Sequence, residues 1–258
     1  MSTEEIIYQR DNGIGTITLN RPQARNALTF EMYDRLAEIA TGLQQPQSDV
    51  SALIITGAGV KAFAAGTDIS RFRDFKTEQH ALDYENRMDR VLGSIEAIPI
   101  PVIAAINGAC TGGGAAIAAC CDLRIATSTM RFGFPIARTL GNCLSAGNLS
   151  RLCHLIGGAK TKELLFTSGL INAEESLRLG LISEIVDDVQ TRALELAEQM
   201  QQMAPLTLAA TKEALRRIRE HSASVDDDDL IISCYTSNDF HEGLEAFLAK
   251  RKPNWTGT

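Results

Sequence analysis

Two stretches decide the fold: ALIITGAGVKAFAAGTDI at residues 52–69 and PVIAAINGACTGGG at residues 101–114. Each opens on a short apolar run, ALIIT at 52–56 and PVIAA at 101–105, that reads as a buried strand. Each then passes into small residues that leave room for a backbone N–H to face a ligand. Two such N–H groups aimed at one point would stabilise a negative oxygen. Behind Gly112–Gly114 the run from Ala115 to Cys121 is compact and apolar enough to be a buried helix. The Gly113 amide then falls in that helix's first turn, where unpaired donors and the positive end of the helix dipole lie. In the other stretch Gly66 permits an unusual turn, and the Thr67 amide is the second candidate donor. Asp68 is expected to cap the element that follows.

Working outward, GIGTITLN (13–20) alternates as a strand and stops at Arg21-Pro22. Thr29 is placed to cap a helix running to about Leu43, with Glu31 and Asp34 near its positive end. Residues 77–96 read as a helix with Leu82, Met88, Leu92 and Ile95 as core positions. LRIAT (123–127) and MRFGF (130–134) read as further strands. This alternation argues an α/β fold with short buried strands. Beyond residue 157 helical periodicity dominates, with Gly169 and Gly180 as C-caps. ISEIVD (182–187) reads as a last strand, followed by helices at 205–220, 226–237 and 239–250. The change of pattern divides the chain into a core, 1–200, that carries the site and a helical region, 201–258.

At 258 residues and 45% hydrophobic, the chain can bury a large core. Its net charge of −7 argues against an electrostatic nucleic-acid footprint. No apolar run is long enough to span a membrane. The acidic, polar start MSTEEIIYQRDNG does not read as a secretory signal. The six cysteines, Cys110, Cys120, Cys121, Cys143, Cys153 and Cys234, form no CxxC pair and are expected to be buried free thiols in a reducing compartment. A cytoplasmic protein without a metal is the expectation. The acidic run Asp226–Asp229 reads as a solvated helix start. GGAKT (157–161) lacks the glycine that a phosphate loop needs before lysine, and GACTGGG lacks dinucleotide spacing.

Taken together, the segments resemble the crotonase family, the enoyl-CoA hydratase/isomerase superfamily. The ordered motifs are LNRPQARNALT (19–29), KAFAAGTDI (61–69), INGACTGGG (106–114) with CCDLRIAT (120–127), FGFP (132–135) with Arg151-Leu152, NAEESLRLGLISEIVD (172–187), APLTLAATKEAL (204–215) and FHEGLEAFLAKRKP (240–253). The resemblance implies an α/β spiral of ββα units in two nearly perpendicular sheets, with a C-terminal helical trimerisation region. It implies a homotrimer or hexamer that binds an acyl-CoA thioester, with no cofactor beyond the coenzyme A of the substrate. It makes the Thr67 and Gly113 amides the oxyanion hole. Ala24 and Arg25, beside Asn26, match the loop that touches the CoA phosphates. Ala65, Asp68 and Ile69 match the loop around adenine and pantetheine. Phe247 and Lys250 match the C-terminal aromatic and lysine that reach adenine and phosphate.

One departure stands out. Where family hydratases carry two glutamates, this chain has Ala116 and either Ile136 or Ala137. Neither position can transfer a proton, and water addition uses two such groups. TLGNCLSAGN (139–148) matches the acyl-pocket region and supplies Asn142, Cys143, Ser145 and Asn148 as polar candidates. Cys143 is expected to be a packed thiol, and Ser145 lacks an evident base. His80, Tyr84 and Glu85 are candidates for the pocket roof, expected on balance to be surface or structural. His154 is expected to pack. The reading is an acyl-CoA enzyme that stabilises a thioester enolate. The alternatives are a non-catalytic acyl-CoA binder and a decarboxylase or C–C lyase.

Overall fold

The chain opens with a hairpin of β1 (Ile6–Asp11) and β2 (Ile14–Leu19), paired antiparallel from Ile6↔Leu19 to Asp11↔Ile14. This computed structural model describes residues 4–45, 47–74, 76–221 and 228–258. Helix α1 (Phe30–Leu43) starts where Thr29 Oγ1 accepts from the Met32 N–H, as its sequence predicts. Strands β3 (Ala52–Gly57) and β4 (Ala62–Ala65) come next, then a 3-10 turn (Ile69–Asp74) and α2 (Glu78–Glu96). β5 (Val102–Ile106), β6 (Ala109–Thr111), α3 (Gly113–Cys120), β7 (Leu123–Ala126) and β8 (Arg131–Gly133) complete the site-bearing half.

The strands form two sheets. β1, β2, β3, β5 and β7 lie side by side in one, closed by β10 (Glu184–Ile185). β4, β6 and β8 form the other, closed by the antiparallel β9 (Ile171–Asn172). From β2 to β10 the first sheet is parallel. Every residue of β3 and β5 is buried. Cover on both faces of a parallel sheet is why these strands read as unbroken apolar runs. One face packs Ile54, Ile103, Ala105 and Ile125 against Val189, Ala193, Leu196 and Ala197 of α7 (Val189–Gln201). Leu53, Ile55, Val102 and Ala104 join the large core that includes residues of α1, α2 and α3.

Between β8 and α7 the chain forms α4 (Ile136–Thr139), α5 (Ala146–Phe166) and α6 (Ala173–Arg178). Non-helical Gly157 (φ 75°) kinks α5. Gly180 (φ 72°) follows α6 as expected, but after α5 the left-handed residue is Ser168 (φ 49°), not Gly169. The Gly169 N–H instead reaches back to the Leu164 carbonyl, satisfying the helix end. The chain finishes with α8 (Pro205–His221), α9 (Asp228–Tyr235) and α10 (Asn238–Leu248). Asp228 and Asp229 are exposed in the first turn of α9, while Asp226 and Asp227 lie outside the described residues. Leu82 is half-buried, whereas Met88, Leu92 and Ile95 are core. His154 is exposed, because the α5 face that carries it points to solvent, and so is Cys153; the expected packing of both is corrected.

A buried ionic clamp ties α2, α5 and α8. Glu96 accepts from Arg151 at 2.7 Å and from Arg219 at 2.8 Å. Arg151, only 6% exposed, also lies 3.6 Å from Asp89. Among the described residues no helix is long and apolar enough to cross a membrane.

Candidate active site

The two glycine-bearing turns meet. A Cβ on Gly112 would stand 3.2 Å from the Gly66 Cα. On Gly113 it would strike the Tyr33 hydroxyl and lie 2.9 Å from Thr67 Oγ1, and on Gly114 it would strike the Ala64 carbonyl. Only a residue without a Cβ allows this approach. Gly66 itself sits at φ 105°, outside the ordinary range of L side chains.

Hydrogen bonds fix where two amides point. The Gly66 carbonyl accepts from the Leu28 N–H at 2.9 Å, and the Asp68 N–H donates to the Leu28 carbonyl at 2.8 Å. In a planar trans peptide C=O and N–H point opposite ways. The Thr67 N–H is therefore turned away from Leu28. Likewise the Gly112 carbonyl accepts the first bond of α3, from the Ala116 N–H at 2.9 Å. The Gly113 N–H is then turned outward at the helix N-terminus, where the dipole is positive.

Thr67 and Gly113 share one cavity of about 160 Å³, walled by α2, the 3-10 turn, the start of α3 and the 134–144 loop. Tyr33 Oη lies 2.8 Å from Thr67 Oγ1, and Tyr84 also hydrogen-bonds the Thr67 side chain. Burial pushes the Tyr33 and Tyr84 phenols upward, so both stay protonated at neutral pH. Ala116 and Ile136 stand on the cavity wall, and Ala137 does not line it. The two positions without a carboxylate thus contribute only apolar surface.

A carboxylate reaches the cavity from elsewhere. Glu85 of α2 is 6% exposed and lines it. It accepts a hydrogen bond from the Tyr235 hydroxyl of α9, which in turn accepts from Asn142 Nδ2 at 3.0 Å. Tyr235 is 3% exposed, and burial raises its phenol well above the usual range. Tyr84 also lines the cavity, packed edge-on to Phe72 with ring centroids 4.9 Å apart. Tyr84 and Glu85 thus stand on the cavity wall and not on the surface. His80 is exposed, and its Nδ1 accepts from the Lys76 N–H. A signal for Glu85 existed in the sequence. It stands four residues after Ala81, three before Met88 and seven before Leu92, on the buried stripe of α2.

Of the other sequence candidates, Ala65, Ile69, Asn142, Cys143 and Phe247 line the same cavity. Ala24 and Arg25 do not. Arg25 borders a separate groove with Lys61, and its carbonyl accepts from the Ala65 N–H at 3.0 Å. Asp68 pairs with Arg21 at 3.2 Å. Lys250 is exposed at φ 54° just beyond α10. Ser145 is buried away from the cavity, where it caps α5 and donates to Asp89 at 3.0 Å. Cys234 hydrogen-bonds Cys143, which draws its thiol down to about 7.

With this geometry in hand, comparison with known proteins adds four findings. The family model described as enoyl-CoA hydratase/isomerase matches residues 9–258. The chain is 34% identical over 262 residues to a short-chain-enoyl-CoA hydratase of Clostridium acetobutylicum, covering 98% of this chain and 97% of that protein. It is 36% identical over 261 residues to a crotonyl-CoA hydratase of Syntrophomonas wolfei, covering 99% of each. Among solved structures, a methylmalonyl-CoA decarboxylase in complex with 2-nitronate-propionyl-CoA superimposes over all of both chains, with a TM-score of 0.88 and 28% identity.

Proposed function

Given that the chain belongs to the enoyl-CoA hydratase/isomerase family, we propose that its cavity binds an acyl-CoA thioester and stabilises the enolate formed from it. The observation that carries this reading is the pair of turns at Gly66–Thr67 and Gly112–Gly113. Their peptide groups are held by bonds on the carbonyl side, which leaves the Thr67 and Gly113 amides as donors at one cavity. Negative charge on the thioester oxygen is what two such donors and a helix N-terminus favour. Each donor contributes roughly 10²–10³-fold to turnover in comparable sites. Ala65 and Ile69 flank the thioester in this reading, and Phe247 covers it. Arg25 and Lys61 hold the phosphates at the neighbouring groove. Exposed Leu206, Leu215 and Ile218 on α8 offer apolar surface for the homotrimer or hexamer that the family assignment suggests.

The test is spectroscopic. A 13C-labelled butyryl-CoA thioester bound to the protein should show its carbonyl stretch at lower wavenumber than in water. An unshifted band in a saturated complex would sink the reading. The same experiment separates an enzyme from a mere binder, because an enolising site also exchanges the C2 hydrogens of the bound ester for deuterium in heavy water.

A further inference from the structure

Two thiols far apart in sequence meet at the cavity wall. Cys143 belongs to the pocket loop, residues 140–144, and lines the cavity. Cys234 belongs to α9, and its side chain is hydrogen-bonded to that of Cys143. Further contacts hold the pair in place. Cys143 Sγ lies 3.8 Å from the Leu230 carbonyl, one turn before Cys234 on the same face of α9. The adjoining Asn142 Nδ2 donates to the Tyr235 hydroxyl of α9 at 3.0 Å. Both thiols pack against the apolar cluster that contains Ile231, Tyr235 and Phe240. On α10, a Cβ at Gly243 would stand 2.6 Å from the Leu140 carbonyl, so the loop is pressed onto that helix as well.

The other four thiols differ from this pair. Cys110, Cys120 and Cys121 are buried, and burial raises all three, which makes them inert. Cys153 is exposed on α5. Cys143 and Cys234 are partly exposed, and the bond between them draws Cys234 down to about 7. A thiol that is readily ionised, reachable from solvent and next to a second thiol is the arrangement that oxidants select.

We propose that Cys143 and Cys234 form a dithiol site that reduces a hydroperoxide and closes to a disulfide, fastening the pocket loop to α9. This goes beyond the thioester reading and does not depend on it. The Cys234 thiolate attacks the terminal oxygen of the peroxide. The S–O bond forms, the O–O bond breaks, and the departing alkoxide or hydroxide takes a proton from solvent. Cys143 then attacks the sulfenic sulfur of Cys234. The S–S bond forms, the S–O bond breaks, and the leaving hydroxide takes the Cys143 proton to become water. Two thiols lose two electrons in total, and one peroxide gains them. The bridge joins two elements that the fold already holds in contact, so closing it asks for side-chain rotation and no rearrangement of helices.

The experiment uses the full chain with Cys153→Ser, which removes the exposed thiol. One equivalent of hydrogen peroxide should make the protein two hydrogens lighter. Trypsin, cutting after Arg138, Arg151, Arg219 and Lys250, should then release residues 139–151 joined to residues 220–250, each with a single cysteine. Dithiothreitol should separate them. Adding Cys143→Ser should leave a sulfenic acid on Cys234 that dimedone traps, with no joined peptide. Adding Cys234→Ser should slow peroxide consumption at least tenfold. Matching far-UV circular dichroism would show that these variants fold. A Cys234 that is oxidised while Cys143 still takes iodoacetamide would overturn the bridge. Peroxide consumption unchanged by Cys234→Ser would overturn the site. So would joined peptides that contain Cys110, Cys120 or Cys121 in place of this pair.

Discussion

At the scale of single residues, Gly113 is where the backbone is most exacting. Its missing Cβ makes room for the Tyr33 hydroxyl and Thr67 Oγ1. Gly113→Ala keeps the amide but forces those groups apart, and should lower turnover about 10²-fold, the scale of one displaced donor. Adding Tyr33→Phe removes the struck atom and should restore at least a tenth of the parent rate. Steady-state rates of the two variants decide the point, and no recovery would mean that the clash is not the cause. Cys234 gives a second measurement. Its hydrogen bond with Cys143 favours the thiolate, so alkylation by iodoacetamide should rise with a midpoint near pH 7, not the roughly 8.5 of an ordinary thiol. The sign is fixed by the depressed value: the thiolate fraction falls as pH drops through 7. Cys143→Ala should move the midpoint upward, and an unmoved midpoint would dissociate the two thiols.

At the scale of elements, the helices around the cavity are held by charge as well as by apolar packing. Glu96 of α2 serves Arg151 of α5 and Arg219 of α8, both largely buried. Glu96→Ala removes the carboxylate that the two guanidinium groups share, leaving Arg151 with Asp89 at 3.6 Å and Arg219 with Glu220 at 3.9 Å, and should cost about 3 kcal/mol by urea unfolding. A loss under 1 kcal/mol would mean that the clamp adds nothing beyond the surrounding core. The elements also differ in how legible they were. The cap at Thr29 and the buried runs of β3 and β5 announce themselves because local chemistry fixes them. The left-handed Ser168 did not, because Gly169 next to it satisfies the usual pattern, and only the fold decides which of the two turns. Glu85 was read as surface or structural for a related reason. Periodicity put it on the buried stripe of α2, but the tyrosine that makes a buried carboxylate tolerable lies 150 residues away.

At the scale of the whole molecule, the two short glycine turns were readable, whereas the cavity at which they meet was not, because its wall is drawn from α1 to α10. That shared wall has a thermodynamic consequence. Butyryl-CoA at a hundredfold its dissociation constant should stabilise the fold by about 2.7 kcal/mol. For a chain of this size that raises Tm by roughly 5–10 °C. Trp255 is the sole tryptophan, and its ring lies 3.4 Å from where a Gly141 Cβ would stand, close to the pocket loop. Its fluorescence and the far-UV circular dichroism should therefore report one transition with and without ligand. Two separated midpoints would show that the C-terminal helices melt independently of the core.

The late position of Tyr235 and Phe247 in the chain also sets an order in time. A ribosome delivers Gly113 well before Phe247, and at about 5–20 residues per second the interval is roughly 7–27 s. Throughout it the growing chain holds both glycine turns but neither Tyr235, which donates to Glu85, nor Phe247, which lines the cavity. The cavity wall is thus complete only when synthesis is nearly done. A nascent chain has no closed cavity until its last helices settle.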